Sequence, residues 1–193
     1  APLRPCILQP MSTADRDKWD ALHAAAGEPG TAPAWLERFA DRLPTHGTAL
    51  DLAAGSGRIA RWAASRGLSV VAVDISPIGL ARIAHPRVRT VQQDLELDPR
   101  LPAGQFALVT LFHYRQPSLQ AAIAAALEPG GFLVAELATI ANLERHARPS
   151  RRWLAEPDEL RHFASALTLV HYEEGWLDDR HTARLIAQRP ATP

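Results

Sequence analysis

The sequence predicts a single doubly wound α/β domain, a seven-stranded and mostly parallel sheet whose last two strands form an antiparallel hairpin. Three observations carry that expectation. Short apolar runs alternate with alanine-rich stretches of helical spacing, the pattern of βαβ units. Acids close three successive runs: Asp51, Asp74 and Asp94. A glycine-bearing turn, Ala53-Ala-Gly-Ser-Gly57, joins the first run to a helix.

Residues Thr13 to Ala26 read as a first helix, with Ser12 or Thr13 able to cap it. Gly27 to Gly30 breaks it. A second helix is expected over Pro33 to Leu43, with proline in its first turn and Trp35, Leu36, Phe39, Ala40 and Leu43 on one apolar stripe. That stripe favours core packing for Trp35 over a place in a lid on the ligand. Thr48 to Leu52 reads as the first strand, and a helix follows the glycine turn to about Arg66, where Gly67 ends it. Ser69 to Val73 is a second, fully apolar strand. Pro77 opens a short helix to Ala84, and Arg87 to Val91 is a third strand. Gln105 to Phe112 is the fourth, followed by a helix over Ser118 to Leu127 that Glu128-Pro-Gly-Gly131 stops. Phe132 to Glu136 is the fifth strand, and Pro157 to Ala166 a last helix. Leu167 to Glu173 and His181 to Gln188 complete the sheet, with residues 174–180 as the hairpin loop. Residues 1–12 read as a tail, and 13–193 as the domain.

The composition excludes several classes. Hydrophobic residues make up 47% and charged residues 22%, so a disordered or fibrous chain is excluded. Lys+Arg and Asp+Glu are both 21, and a strongly basic nucleic-acid binder or polybasic membrane anchor is not expected. Cys6 is the one cysteine, which rules out an internal disulfide framework and a multi-cysteine zinc site and suits a reducing cytoplasm. The histidines show no paired metal spacing, so no metal is expected.

Glycine in the Ala53–Gly57 turn permits positive φ and close approach of a ligand to the main chain. The helix that follows presents free N–H groups and a positive dipole end. Asp74 can accept from ribose hydroxyls. On these residues alone a dinucleotide site is also open, because Gly55-x-Gly57-x-x-Ala60 fits its fingerprint. Asp51, just before the turn, can bond an ammonium group and has less reason to stand beside a pyrophosphate. Asp94 offers an acceptor for an exocyclic amine, and Leu95 an apolar surface for a purine.

With these residues in view the chain resembles the class I S-adenosylmethionine-dependent methyltransferases. It is similar in particular to small bacterial members of the tellurite-resistance-methyltransferase-like group. Lys18-Trp19-Asp20, Asp51-Leu-Ala-Ala-Gly-Ser-Gly-Arg58, Val73-Asp-Ile-Ser76 and Phe112-His-Tyr114 carry the resemblance. Ala54 stands where that group has cysteine, and Ser56 where it has threonine. The resemblance implies S-adenosylmethionine as cofactor, held by Trp19, Asp51, Ala53, Gly55, Gly57, Asp74, Ile75, Asp94, Leu95 and Phe112. It implies a small-molecule acceptor at His113 and Tyr114, with His113 as a candidate general base. A nucleotide-cofactor oxidoreductase and a non-catalytic cofactor-binding module remain as alternatives. The cluster Arg145, His146, Arg148, Arg151 and Arg152 reads first as a solvated loop, and otherwise as a seat for an anionic substrate.

Overall fold

The structure, a computed structural model, describes residues 13–177 and 179–191. The tail assigned to residues 1–12, with Cys6, and the capping of the first helix by Ser12 or by the Thr13 side chain lie outside what it describes.

Seven strands form one sheet: β1 (Thr48–Leu52), β2 (Ser69–Asp74), β3 (Val88–Gln92), β4 (Phe106–Phe112), β5 (Leu127–Ala138), β6 (Thr168–Leu177) and β7 (Arg180–Gln188). Their order is β3-β2-β1-β4-β5-β7-β6. All neighbours up to β5 run parallel, and β7 pairs antiparallel with both β5 and β6. The expected fold is the one observed. The order in which strands are added reverses between β1 and β4, so the carboxyl ends of those two strands open a crevice at the switch point.

The apolar runs are continuous because the sheet is covered on both faces. Leu50, Leu52, Val71, Val73, Val109 and Leu111 point into one buried cluster. Ala49, Val70, Ala72, Leu108, Val134 and Ile186 point into the other. Alternate residues of each strand thus serve opposite cores.

The helices are α1 (Thr13–Ala25), α2 (Ala34–Glu37), α3 (Arg58–Ser65), α4 (Pro77–Ala81), α5 (Gln120–Ala126) and α6 (Glu159–Phe163). Two expectations are corrected. The helix read over Pro33 to Leu43 is broken into α2 and a 3₁₀ turn, Ala40–Arg42. The Arg66 guanidinium donates to the carbonyls of Ala40 (2.5 Å) and Leu43 (3.4 Å), so a side chain from α3's end takes up main-chain acceptors there. The loop read over 174–180 is mostly strand, since Trp176 pairs with His181 and Leu177 with Arg180. Trp35 is buried as expected.

The strand β5 also starts earlier than its sequence suggests, with Leu127 pairing with Phe106 before the register shifts. Gly131 is required there, because a β-carbon would lie 2.8 Å from the Phe106 carbonyl oxygen.

Candidate functional site

The carboxyl ends of β1, β2, β3 and β4 enclose a cavity of about 180 Å³. Ala53 and Gly55 reach it from β1, Asp74 and Ile75 from β2, Gln93 and Leu95 from β3, and Phe112, His113 and Tyr114 from β4. Trp19 and His23 of α1 form its roof, with Trp153 beside them. The structure therefore brings together most of the residues singled out in the sequence. Asp51, Gly57 and Asp94 are placed outside the cavity wall.

The glycine turn is held by Asp74. Its Oδ2 accepts from the Gly55 N–H at 2.7 Å, and its Oδ1 from the Ser76 N–H at 2.8 Å. Burial pushes the Asp74 carboxyl up, and these two N–H groups work against that. A carboxylate has about four acceptor positions, so Asp74 keeps capacity toward the cavity. Gly55 has φ +55°, and a β-carbon there would sit 3.0 Å from the His23 ring. Gly57 has a different role. It caps α3 with φ +81°, and a β-carbon would lie 2.6 Å from Ile83.

Asp51 lies beneath the turn, 3% exposed. Its Oδ1 accepts from the Thr110 hydroxyl at 2.7 Å, while its Oδ2 is buried with no hydrogen bond of ordinary geometry among the described residues, the Ala60 N–H at the start of α3 lying close enough to favour the ionised form. Burial pushes its carboxyl up to about 7. The folded protein thus holds this proton up to about pH 7, while the unfolded chain releases it near the ordinary value of 3.8. The stability that this group lends is lost as pH rises from about 4 to about 7 and is flat above. A cationic ligand group favours the ionised form. Affinity for S-adenosylhomocysteine is therefore expected to climb several-fold between about pH 6 and pH 8, and Asp51→Asn to flatten that rise. Calorimetric titration across the range checks it; a slope that Asp51→Asn leaves intact would place its origin elsewhere.

Asp94 turns inward on its own loop, its Oδ1 accepting from the N–H groups of Glu96 (2.9 Å) and Leu97 (3.3 Å). Leu95, which that turn positions, lines the cavity.

His113 takes φ +58°, a backbone conformation that costs a non-glycine residue energy and is held here by its N–H donating to the Glu136 carbonyl at 2.8 Å. That twist turns the ring out of the sheet. Its Nε2 lies 3.5 Å from Glu136 Oε1 and 3.4 Å from the Arg58 guanidinium. The side chain is 51% exposed, yet such burial as it has, then Arg58 and Arg180, push the imidazole down, against Glu136. It is therefore neutral near pH 7 and able to accept a proton. Glu136 is fixed in turn by the Trp35 indole N–H (2.5 Å) and Arg184 (2.8 Å). Sequence reading had Glu136 only as the end of a strand.

Tyr114 is buried beside Trp153, and its hydroxyl has no partner among the described residues. Burial, with Glu96, Asp94 and Asp74 nearby, pushes the phenol strongly up, so it acts as a neutral donor.

The roof is tied down on α4. Ser76 Oγ donates to Asp20, and Arg82 donates to the His23 carbonyl at 2.8 Å. Trp19 and His23 stack with ring centroids 6.1 Å apart. At about 180 Å³ the cavity is small beside the ~300–1,000 Å³ that ligand sites commonly span. His23, Gln93 and Trp153 were missed by sequence reading. The spacing of Trp19 and His23, one helical turn apart, was the one local signal for His23.

A family described as "Methyltransferase domain" matches residues 24–174. No curated protein matches the chain. Among solved structures, TehB from Haemophilus influenzae superposes with a TM-score of 0.62 at 16% identity, covering 74% of this chain and 57% of that one. This chain thus spans little more than half of that protein. The N-methyltransferase NodS from Bradyrhizobium japonicum, in complex with S-adenosylhomocysteine, gives 0.64 at 18% identity, covering 90% and 97%. The [4+2]-cyclase SpnF gives 0.67 at 15% identity, covering 95% and 97%.

Proposed function

The chain belongs to the methyltransferase-domain family, and from that premise we propose that residues 13–193 act as one domain that methylates a small molecule. S-adenosylmethionine is the donor. It supplies an electrophilic methyl group: the acceptor's lone pair forms the new bond as the methyl–sulfur bond breaks and its electrons return to sulfur.

The observation that carries the reading is the cradle at four consecutive strand ends, lined by the Asp74 carboxylate and by Tyr114, whose buried hydroxyl has no partner among the described residues. An acceptor and a donor facing one cavity suit a ligand bearing both hydroxyls and acceptor atoms. Asp74 is placed to accept from ribose hydroxyls, with Ile75 and Leu95 as apolar walls for a base. Phe112 lies at the end of β4 where the two halves of the ligand would meet. Trp19 and His23 exclude water once closed, and so help align the acceptor in line with the methyl. His113 takes the acceptor's proton.

The dinucleotide alternative fits less well. A pyrophosphate needs free main-chain N–H groups, whereas the Gly55 N–H already serves Asp74. Among the described residues no helix is long and apolar enough to cross a membrane.

Calorimetric titration tests the reading. S-adenosylhomocysteine is expected to bind and NADH not to; the reverse would overturn it. Asp74→Ala is expected to weaken S-adenosylhomocysteine at least ~100-fold, since charge-assisted hydrogen bonds contribute ~1.5–3 kcal/mol each. Asp98→Ala should change nothing, because that carboxylate pairs only with its neighbour Arg100. Because SpnF is named as a cyclase on this fold, transfer of a labelled methyl group is the decisive activity readout.

A further inference from the structure

Outside the donor cavity lies a wider one of about 780 Å³. Trp19, His113 and Trp153 belong to the walls of both, so the two spaces meet at those side chains. The charge of the outer cavity is one-sided. Lys18, Arg148 and Arg180 line it, and no carboxylate among the described residues does.

Nearby arginines have partners. Arg115 bonds Glu159 at 2.7 Å, Arg151 bonds Glu156 at 2.7 Å, and Arg152 reaches Glu96 at 3.2 Å. Arg145 lies over the Trp176 ring at 3.7 Å. The side chains of Arg148 and Arg180, by contrast, make no ion pair or hydrogen bond among the described residues. Among the described residues the Lys18 ammonium lies over the Trp19 ring, at 5.4 Å, and makes no ion pair. Asp179, next to Arg180, faces His146 at 3.7 Å. Cations converging on one concave wall repel one another, and a bound anion relieves that. The basic stretch after β5 is therefore divided: most of it is paired structure, and one arginine joins a pocket built with β7 and α1.

We infer that this outer cavity is the acceptor site and takes a flat organic anion, its carboxylate or phosphate held by Arg148, Arg180 and Lys18 and its body against Trp19 and Trp153. This rests on the methyl-transfer reading, and it adds the acceptor's chemical class. The anionic group anchors the molecule, and a separate nucleophilic atom faces His113, which accepts its proton. Arg148 and Arg180 act as points of attachment, while the two indoles select against bare inorganic ions, which offer no face to stack.

The test is a tryptophan-fluorescence titration of the full chain, without donor, using 4-hydroxybenzoate, phenyl phosphate, neutral 4-hydroxybenzamide and inorganic phosphate. At least one aromatic anion is expected to bind tenfold or more tightly than both the amide and inorganic phosphate, and to weaken as salt is raised; which of the two wins identifies the anchoring group. Arg148→Ala and Arg180→Ala should each weaken it about ten- to a hundredfold, with Arg100→Ala unchanged and S-adenosylhomocysteine affinity unchanged in all three. Equal binding of the amide overturns the proposal. So does unchanged affinity in both arginine variants, failure of both aromatic anions to bind, or inorganic phosphate binding as tightly as they do. If a variant does not fold, the comparison of anions with the amide on the unaltered protein still decides. Failure to bind S-adenosylhomocysteine, scored separately by calorimetry, sinks the methyl-transfer reading itself.

Discussion

Gly55→Val is expected to reduce S-adenosylhomocysteine affinity more than ~100-fold while leaving a folded protein. The left-handed backbone costs a side chain ~1–2 kcal/mol, yet the turn tolerates it next door, where Ala53 also has φ +55°. The new β-carbon would meet only the His23 ring, at 3.0 Å. That ring is the end of a side chain on α1, and it can move. What remains is a branched side chain inside the cavity, over the N–H that Asp74 orients. The informative contrast is Gly57→Val. There a β-carbon would lie 2.6 and 2.8 Å from Ile83, a buried residue packed with α3 and β2. Overpacking costs ~1–3 kcal/mol, added to the same backbone cost. Gly57→Val should therefore lower the melting temperature by many degrees, and Gly55→Val by few. Calorimetric titration and thermal unfolding of the two variants separate the effects. If Gly55→Val bound normally, the turn would not be the cradle.

That contrast was hidden in the sequence, where both glycines look alike. What was legible was the sheet. Strands covered on both faces are apolar at nearly every position, so β2 and β4 stand out as apolar runs, and β1 does so but for Asp51. Their carboxyl ends are marked by the first polar residues after each run, and a doubly wound sheet binds ligands there. Asp74, Ile75, Leu95 and His113, which line the cavity, stand out in that way. Asp51 lies at the same strand end but beneath the turn: it sits one residue before the last of β1, and bonds Thr110 across the sheet.

What was not legible depended on partners far along the chain. The stripe of Trp35, Leu36, Phe39 and Ala40 satisfies helical spacing, but Arg66, some two dozen residues on, bonds two of the carbonyls that follow. No local propensity reports that. The hairpin was expected, but its loop reads too long for a related reason. Glu174 and Gly175 look like loop, yet β6 is an edge strand, where charges suit the solvent side. Arg184 pairs with Glu173 across the ladder at 3.1 Å and supports that register. Glu136 was passed over because a carboxylate at the end of a strand has a bland reading, and its meaning comes only from Trp35 and Arg184 converging on it.

The second large effect concerns that carboxylate and the histidine it faces. His113→Ala is expected to lower kcat by ~10²–10⁴, the usual worth of a positioned general base, with S-adenosylhomocysteine affinity within about twofold of the unaltered protein. A group that acts only in the transition state affects turnover and spares cofactor binding. The sign of the pH dependence follows from the neutral form being active. The imidazole's value is pushed below 6.5, so turnover should rise through a limb centred below that pH and be flat around neutrality. His113→Ala should remove the limb. Glu136→Gln offers the sharper test of positioning. The amide oxygen can still accept from the Trp35 indole, but the negative charge 3.5 Å from His113 Nε2 is gone. That charge favours the protonated ring, so its loss should move the limb to still lower pH, with Arg58 and Arg180 left unopposed. A merely structural role for Glu136 would cut turnover at every pH and leave the limb where it was. Should His113→Ala leave kcat untouched, the nucleophilic atom reaches the methyl already deprotonated, and the histidine serves only as a wall between the two cavities.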